Sequence, residues 1–291
     1  MLSRAMRVLI TSDLHHNHRV SRPLADDLID RINRSGGDVL VLVGDSAVLA
    51  DNALDACLSR ITFAGAKLFV PGNHELWSRG GDSYDLFTRI LPKRVETLGW
   101  QWLQTTPFVS DEIAIVGSLG WYDYSFAQES LGIPRRFYEA KISPGAAERF
   151  EEYAHLFERT DDISRHAHEV LARWNDGKFV NLGRSDEQFL DELLVTLTSQ
   201  LDSLRGHPRV LAAIHQLPFR ELLPPPHSAQ WDFAKAYLGS ERIGKLLLEY
   251  PNVKDVFCGH SHFPAEAQVG YVHAKNTGCG YRKKTLHVVD V

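Results

Sequence analysis

Five short clusters along this 291-residue chain carry side chains able to bind metal ions: Asp13-Leu14-His15, Gly44-Asp45, Gly72-Asn73-His74-Glu75, His215-Gln216 and Gly259-His260-Ser261-His262. Apart from Glu75 and Gln216, they supply two carboxylates, one side-chain amide and five imidazoles. Such oxygen and nitrogen donors suit borderline and hard transition ions, and no thiolate competes with them. Six or more donors exceed the four of a structural zinc site, so the set points to two ions with open positions. Asp13 and His15, two residues apart, can turn toward one ion. His260 and His262 share that spacing and can serve one ion or two. Asp45, with two carboxylate oxygens, can bridge. Two ions ~3.5–4 Å apart are the arrangement that activates water and clamps a phosphoryl group. Gly44, Gly72 and Gly259 each precede a candidate ligand, where φ is positive or backbone must approach closely. Singly, each cluster has a plainer explanation, such as a turn or a helix cap. Together they share one placement, which the surrounding pattern supplies.

Each cluster follows a segment that reads as a strand. Arg7 to Ser12, Val39 to Val43 and Lys67 to Val70 are short apolar runs. They are separated by an amphipathic helix with Leu24, Leu28 and Ile32 on one face and a second helix from about Asn52 to Ile61. This alternation predicts βαβ units and a buried, at least partly parallel sheet. Strand-like pieces follow near Gln104 to Val109 and Ile113 to Gly117, then at Arg209 to Ile214 and Val253 to Cys258, with a helix at Glu241 to Glu249. Phe263 to Val269, Tyr271 to Lys275 and Thr285 to Val291 read as terminal antiparallel strands. In open α/β sheets ligands bind outside the carboxyl ends of the strands, so five loops would converge on one place.

Between these halves, residues 121–206 carry charged, helical patterning with little β-branched density. Ala146 to Arg159, Asp161 to Trp174 and Ser185 to Leu204 are the expected helices, the last opened by a capping box, Ser185 with Gln188. This stretch is expected to be a helical insertion, or cap, within a single domain spanning 1–291.

Composition narrows the class further. With 44% apolar and 24% charged residues, the chain has the profile of a soluble globular protein. No apolar run approaches the ~20 residues of a membrane span. The first residues hold too few apolar side chains for a secretory signal, and three scattered cysteines fit a reducing compartment, so a cytoplasmic location is expected. Lys and Arg total 32 against 37 acidic residues, for a net charge of -5. With no basic stripe, this argues against nucleic acid as partner. Nothing in the sequence bears on oligomeric state.

The ordered clusters resemble the calcineurin-like metallophosphoesterase superfamily, whose pattern runs D-x-H, G-D, G-N-H-D/E, H, G-H-x-H. The likeness covers about residues 6–118 and 208–291 and leaves out the insertion. It implies an α/β fold, a four-layer α/β/β/α sandwich with a dinuclear site of Mn, Fe or Zn, divalent or mixed-valence. Asp13, His15 and His262 would hold one ion, Asn73, His215 and His260 the other, and Asp45 would bridge. His74 would ligate nothing and would act as the catalytic group toward substrate. The activity implied is hydrolysis of a small phosphate ester by direct attack of a metal-bound hydroxide. Phosphodiesters are favoured over monoesters, a nuclease is the further alternative, and a catalytically silent metal-binding scaffold is the alternative of a different class. One departure stands out: some members carry an aspartate three residues after the bridging one, which orients the histidine, and here that position is Val48.

Other residues invite roles that the pattern does not require. His16 and His18 read as loop neighbours, and His166 and His168 do not share a helix face. Arg135 and Arg136 could grip a phosphate or simply be solvated. Trp121, Tyr122 and Tyr124 could wall a pocket or pack the insertion. Cys258 reads as a small buried hydrophobe.

Overall fold

The computed structural model describes residues 5–291; residues 1–4, part of the segment read as too poor in apolar residues for a secretory signal, lie outside them. Eleven strands among the described residues form two sheets: β1 (Arg7–Thr11), β2 (Val39–Val43), β3 (Ala66–Val70), β4 (Gln101–Trp102), β5 (Phe108–Val109), β6 (Ala114–Ser118), β7 (Val210–Ile214), β8 (Val253–Cys258), β9 (Ala265–Val269), β10 (Val272–Asn276) and β11 (His287–Asp290). One sheet has the order β11-β1-β2-β3-β4 and the other β5-β6-β7-β8-β10-β9. Within each sheet the central strands run parallel; β11, β5 and β9 pair antiparallel. The terminal strands are therefore only partly as expected. β9 pairs antiparallel with β10, but β10 runs parallel to β8, and β11 crosses back to pair with β1 in the other sheet.

β2 shows why these strands are apolar throughout. Val39, Val41 and Val43 pack into the layer between the sheets with Val8, Ile10, Leu68, Val70, Ile115 and Leu211. Leu40 and Leu42 point the other way, into the helices, with Leu9, Leu28, Ile32 and Phe69. A strand buried on both faces has no polar alternation to show. The result is helices, sheet, sheet, helices: the expected four-layer α/β/β/α sandwich.

The first helix, Arg22–Arg34, buries Ala25, Leu28, Ile29 and Ile32, and Leu24 stays exposed. The i, i+3, i+4, i+7 stripe runs one position away from the one Leu24 would have made. The second helix is Ala53–Leu58, shorter at both ends than the pattern predicts.

The chain between β6 and β7 corrects the helical reading of the middle. Asp186–Ser203 is one long helix, and both bonds of the Ser185/Gln188 capping box are present. The stretches 146–159 and 161–174 are not long helices. They hold the end of a short helix, Pro144–Ala147, and single 3-10 segments at Glu151–Phe157 and Arg165–Glu169. The reason is tertiary. Ser143 is tied to the chain at 170–172: Ser143 Oγ donates to Val170 O at 2.7 Å, and the Ser143 N–H donates to Ala172 O at 2.9 Å. These bonds fold the segment back on itself around a small separate core of Phe137, Ile142, Ala146, Ala147, Leu156, Ile163 and Ala167. Continuous helix would break that core.

Candidate metal centre

Because β1, β2 and β3 are parallel, as are β7 and β8, their five following loops meet at one edge of the sandwich. The loops are hung on one another by backbone. The N–H of Asp13 donates to Gly44 O and that of His15 to Asp45 O, both at 2.9 Å, and the N–H of His260 donates to Asp13 Oδ1 at 3.0 Å. Holding the side chains inward has a conformational cost. Asp13, His15, Asp45, His260 and His262 all have left-handed backbone, with φ from 41° to 66°. Non-glycine residues pay roughly 1–3 kcal/mol each for this, and such strain concentrates at functional sites. The glycines clear the space: a Cβ on Gly44 would lie 2.1 Å from His215 Nδ1, one on Gly72 2.1 Å from Asp45 Oδ1, and one on Gly259 2.2 Å from Asp13 Oδ2. Only Gly44 also has positive φ, at 80°.

The donor atoms form two overlapping groups. Asp13, His15, Asp45 and His262 bring ligand atoms within 4.8 Å of one another, and so do Asp45, His215 and His260. Asn73 Oδ1 lies 3.4 Å from His215 Nε2, beside the second group. Asp45 belongs to both. Its Oδ1 accepts the His74 N–H at 3.0 Å, while Oδ2 is buried with no hydrogen-bond partner. An orphaned buried carboxylate oxygen is costly unless something positive meets it. Its neighbours, His15 Nε2 at 3.7 Å and His74 Nε2 at 3.8 Å, stand too far for hydrogen bonds. The two donor groups, which share Asp45, could each hold a metal ion.

Backbone carbonyls set the histidine tautomers. His215 Nδ1 faces Val43 O at 2.9 Å, which puts a proton on Nδ1 and turns Nε2 toward Asp45. His260 does the reverse, Nε2 facing Tyr237 O at 3.1 Å, so Nδ1 is left for the centre. A hydrogen bond on the far nitrogen is how proteins orient ligating imidazoles. Electrostatics agree with a charged centre. Burial opposes ionisation of Asp13, but the hydrogen bond and charge of His262 outweigh it and bring its carboxyl down to about 2. Burial pulls His215 down, yet Asp45 pushes it up to about 9. Burial and then His215 hold His260 down at about 3.

Two residues shape this centre in ways the sequence pattern does not assign: Glu75 stands in a recognised cluster without a role, and Asp176 in none. Glu75, fully buried, accepts backbone N–H groups from Gly72 at 2.6 Å, Ser46 at 2.7 Å, Asp45 at 3.0 Å and Ala47 at 3.2 Å. It clamps the second and third loops together. Asp176, on the short helix Asp176–Phe179 of the middle segment, answers for the missing aspartate at Val48. Its Oδ1 accepts from Asn73 Nδ2 at 2.9 Å and Trp77 Nε1 at 2.7 Å, and its Oδ2 from Trp174 Nε1 at 2.8 Å. Trp77 stacks on the His74 ring, centroids 3.7 Å apart. The indole plane, pinned by Asp176, therefore orients His74, and burial keeps that imidazole below its usual value. No local motif marks Asp176; only contact across about a hundred residues does.

A cavity of about 440 Å³ opens onto the centre. Asp45, Asn73, His74, His260 and His262 lie at its floor, and Trp77, Trp174, Trp231, Phe233 and Tyr281 form aromatic walls. The other residues fall elsewhere. Trp121, Tyr122 and Tyr124 are buried beneath the middle segment and do not line the cavity. Arg135 pairs with Glu139 and Glu187, and Arg136 with Asp162, so neither is free to grip a phosphate. His16 is buried against Asp26, His18 is exposed beside Tyr281, and Cys258 is buried. His166 and His168 pair with Glu169 and Glu148, away from the centre. Among the described residues no helix is long and apolar enough to cross a membrane.

Comparison with known proteins identifies the family and the fold. A model of the calcineurin-like phosphoesterase family matches residues 6–264. A solved phosphopantetheinyl hydrolase, PptH, from Mycobacterium tuberculosis superposes with a TM-score of 0.70 at 21% identity, covering 97% of this chain and 92% of that one. The [acyl-carrier-protein] phosphodiesterase PptH of the same organism is 40% identical over 81 residues, which span 27% of this chain and only 23% of that protein's length. A dimetal phosphatase from Danio rerio follows at TM-score 0.48 and 14% identity, covering 96% and 88%.

Proposed function

The chain belongs to the calcineurin-like phosphoesterase family, and from that premise we propose that it hydrolyses phosphodiesters at a dinuclear centre. Asp13, His15 and His262 would hold one ion, Asn73, His215 and His260 the other, and Asp45 would bridge. One observation carries this reading: Asp45 belongs to both donor groups, and its buried Oδ2 has no partner. A metal pair held there supplies an acidified water and positive charge for the phosphoryl oxygens.

The remaining work falls to the chain itself. His74 faces the cavity with its ring plane fixed by Trp77, placing it to donate a hydrogen bond or proton to the leaving oxygen. The aromatic walls exclude water and cover the apolar part of the substrate. We read residues 121–206 as an insertion of a single domain that selects the substrate, since Trp174 and Asp176 come from it. The likeness to PptH supports a substrate of its kind: a phosphopantetheine-type arm joined through a phosphodiester to an acyl-carrier protein. Water displaces the leaving oxygen at phosphorus in one step, and no side chain is phosphorylated.

Two measurements test this. Protein loaded with Mn²⁺ is expected to cleave bis(p-nitrophenyl) phosphate faster than p-nitrophenyl phosphate, and the opposite preference would overturn the diester reading. A chiral phosphorothioate diester should invert at phosphorus; retention would mean a phosphorylated intermediate.

A further inference from the structure

Five loops stand at or beside the cavity mouth: 171–179, 227–231 and 280–284 contribute lining residues, and 17–20 and 78–81 contact residues of those loops. The His18 ring packs tilted against Tyr281, centroids 4.6 Å apart, and Tyr281 lines the cavity, so the exposed Arg19, Arg282 and Lys283 are chain neighbours of that contact. On another side, Trp77 stacks on Phe179 with centroids 4.9 Å apart, and Lys178 Nζ lies 5.1 Å over the Phe179 ring. The Ser78 N–H donates to Phe179 O at 2.7 Å, which brings Arg79 to the same side. Arg173 itself lines the cavity.

The exposed charged side chains in those five loops are basic: Arg19, Arg79, Arg173, Lys178, Arg282 and Lys283; the exposed Asp82 just past Gly81 is spent as a helix cap on the Tyr84 and Asp85 N–H groups. Asp176, the one acidic residue within the five loops, is buried and accepts hydrogen bonds from four side chains. Arg173 reaches Glu152 at 3.8 Å, and the other five have no ion-pair partner among the described residues. Over the whole chain the balance is reversed, with 37 acidic residues against 32 basic ones. Large apolar side chains stand in the same ring. Leu171 (44% exposed) and Trp231 (36% exposed) line the mouth, and Val20 follows Arg19. Unpaired charge of one sign interleaved with exposed apolar surface marks a docking site rather than a solvated face.

We propose that this rim docks an acidic protein surface, so that the protein bearing the phosphodiester sits on the mouth while its arm enters the cavity. This rests on the carrier-protein reading above and names the partner's chemistry. The cavity holds only a small group, so a protein-sized leaving group must stay outside and meet the rim. Charges of one sign around that mouth raise the encounter rate with an acidic partner and favour the orientation that feeds the arm inward.

The test compares two substrates, a holo-acyl-carrier protein and bis(p-nitrophenyl) phosphate, on wild type, Arg282→Glu/Lys283→Glu and Arg79→Glu. For the carrier protein, kcat/KM should fall at least about tenfold in the double variant and less in the single one, and it should fall steeply with salt in wild type. The small diester should be cleaved equally by all three. Equal turnover of the carrier protein by all three, without salt dependence, overturns the docking surface and leaves the substrate reading standing. Turnover of the small diester alone by wild type removes the substrate reading, and docking with it. Charge-sensitive binding to anionic vesicles or single-stranded DNA, without any effect on carrier-protein turnover, would assign the rim to a different partner and also overturn the proposal.

Discussion

Asn73 and Asp176 are 103 positions apart in sequence, yet Asn73 Nδ2 donates to Asp176 Oδ1 at 2.9 Å. The bond fixes which end of the amide faces the proposed metal pair. The donor end is spent on Asp176, so the carbonyl end points toward His215. The same carboxylate oxygen holds Trp77 under His74. One buried group from the middle segment thus positions a proposed ligand and the proposed catalytic histidine together.

Asp176→Asn keeps the volume but offers an N–H where three indole and amide donors converge. Activity and affinity for the second ion are expected to fall about 10–100-fold, the usual cost of losing a ligand's supporting partner. Trp77→Phe, which keeps a ring under His74 and removes only the N–H bond, should lower the rate while leaving metal content intact. Metal analysis beside kcat separates the two effects; equal loss of metal in both variants would contradict separate roles.

Asp45→Asn removes one of the shared carboxylate oxygens. Bound metal should drop below two per chain by elemental analysis, and the rate on aryl diesters should fall at least about 100-fold. Full activity in this variant would refute the bridging assignment.

The proton on His215 gives metal uptake a pH dependence. Burial pulls its pKa down, but Asp45 outweighs burial and raises it to about 9 in the metal-free protein. The raised value stabilises the metal-free fold fully below the unfolded value of 6.5, and that contribution is lost as pH rises through about 9. Metal competes for the same lone pair. Binding at pH 7.5 should therefore release about one proton from this imidazole, and affinity should rise with pH up to about 9. Titration calorimetry in two buffers of different ionisation enthalpy reads the proton count directly.

At Gly44, alanine would put a Cβ 2.1 Å from His215 Nδ1 on left-handed backbone. Overpacking and strain together predict a loss of about 2–5 kcal/mol in denaturant unfolding, with metal binding impaired. Gly36, with nothing within 4 Å of its added Cβ, is the control and should change by less than about 0.5 kcal/mol.

Ser185→Ala removes the side chain that accepts the Gln188 N–H at 3.1 Å and opens the long helix Asp186–Ser203. Its expected cost is about 0.5–2 kcal/mol, with activity per folded molecule unchanged.

Local chemistry made a good part of this protein legible in sequence. The strands β1, β2, β3, β7 and β8 are apolar because both their faces are buried, and that shows as runs any reader can find. The proposed ligands follow those strands directly, since a parallel sheet puts all its carboxyl ends at one edge. The capping box at Ser185 is likewise written within four residues. Tertiary structure alone decided the rest. Residues 146–174 carry helical composition, but Ser143 ties the chain back on itself, and a local pattern cannot register a bond to a residue some 27 positions away. Val48 left His74 without its usual partner, and the replacement came from Asp176, a residue with no motif around it. Glu75 stood within a recognised cluster, but its role as acceptor for four backbone N–H groups depends on how two loops are stacked. The basic rim is assembled from five loops whose charges are scattered through a net acidic chain. Composition averages over that scatter, and only folding brings those side chains to one mouth.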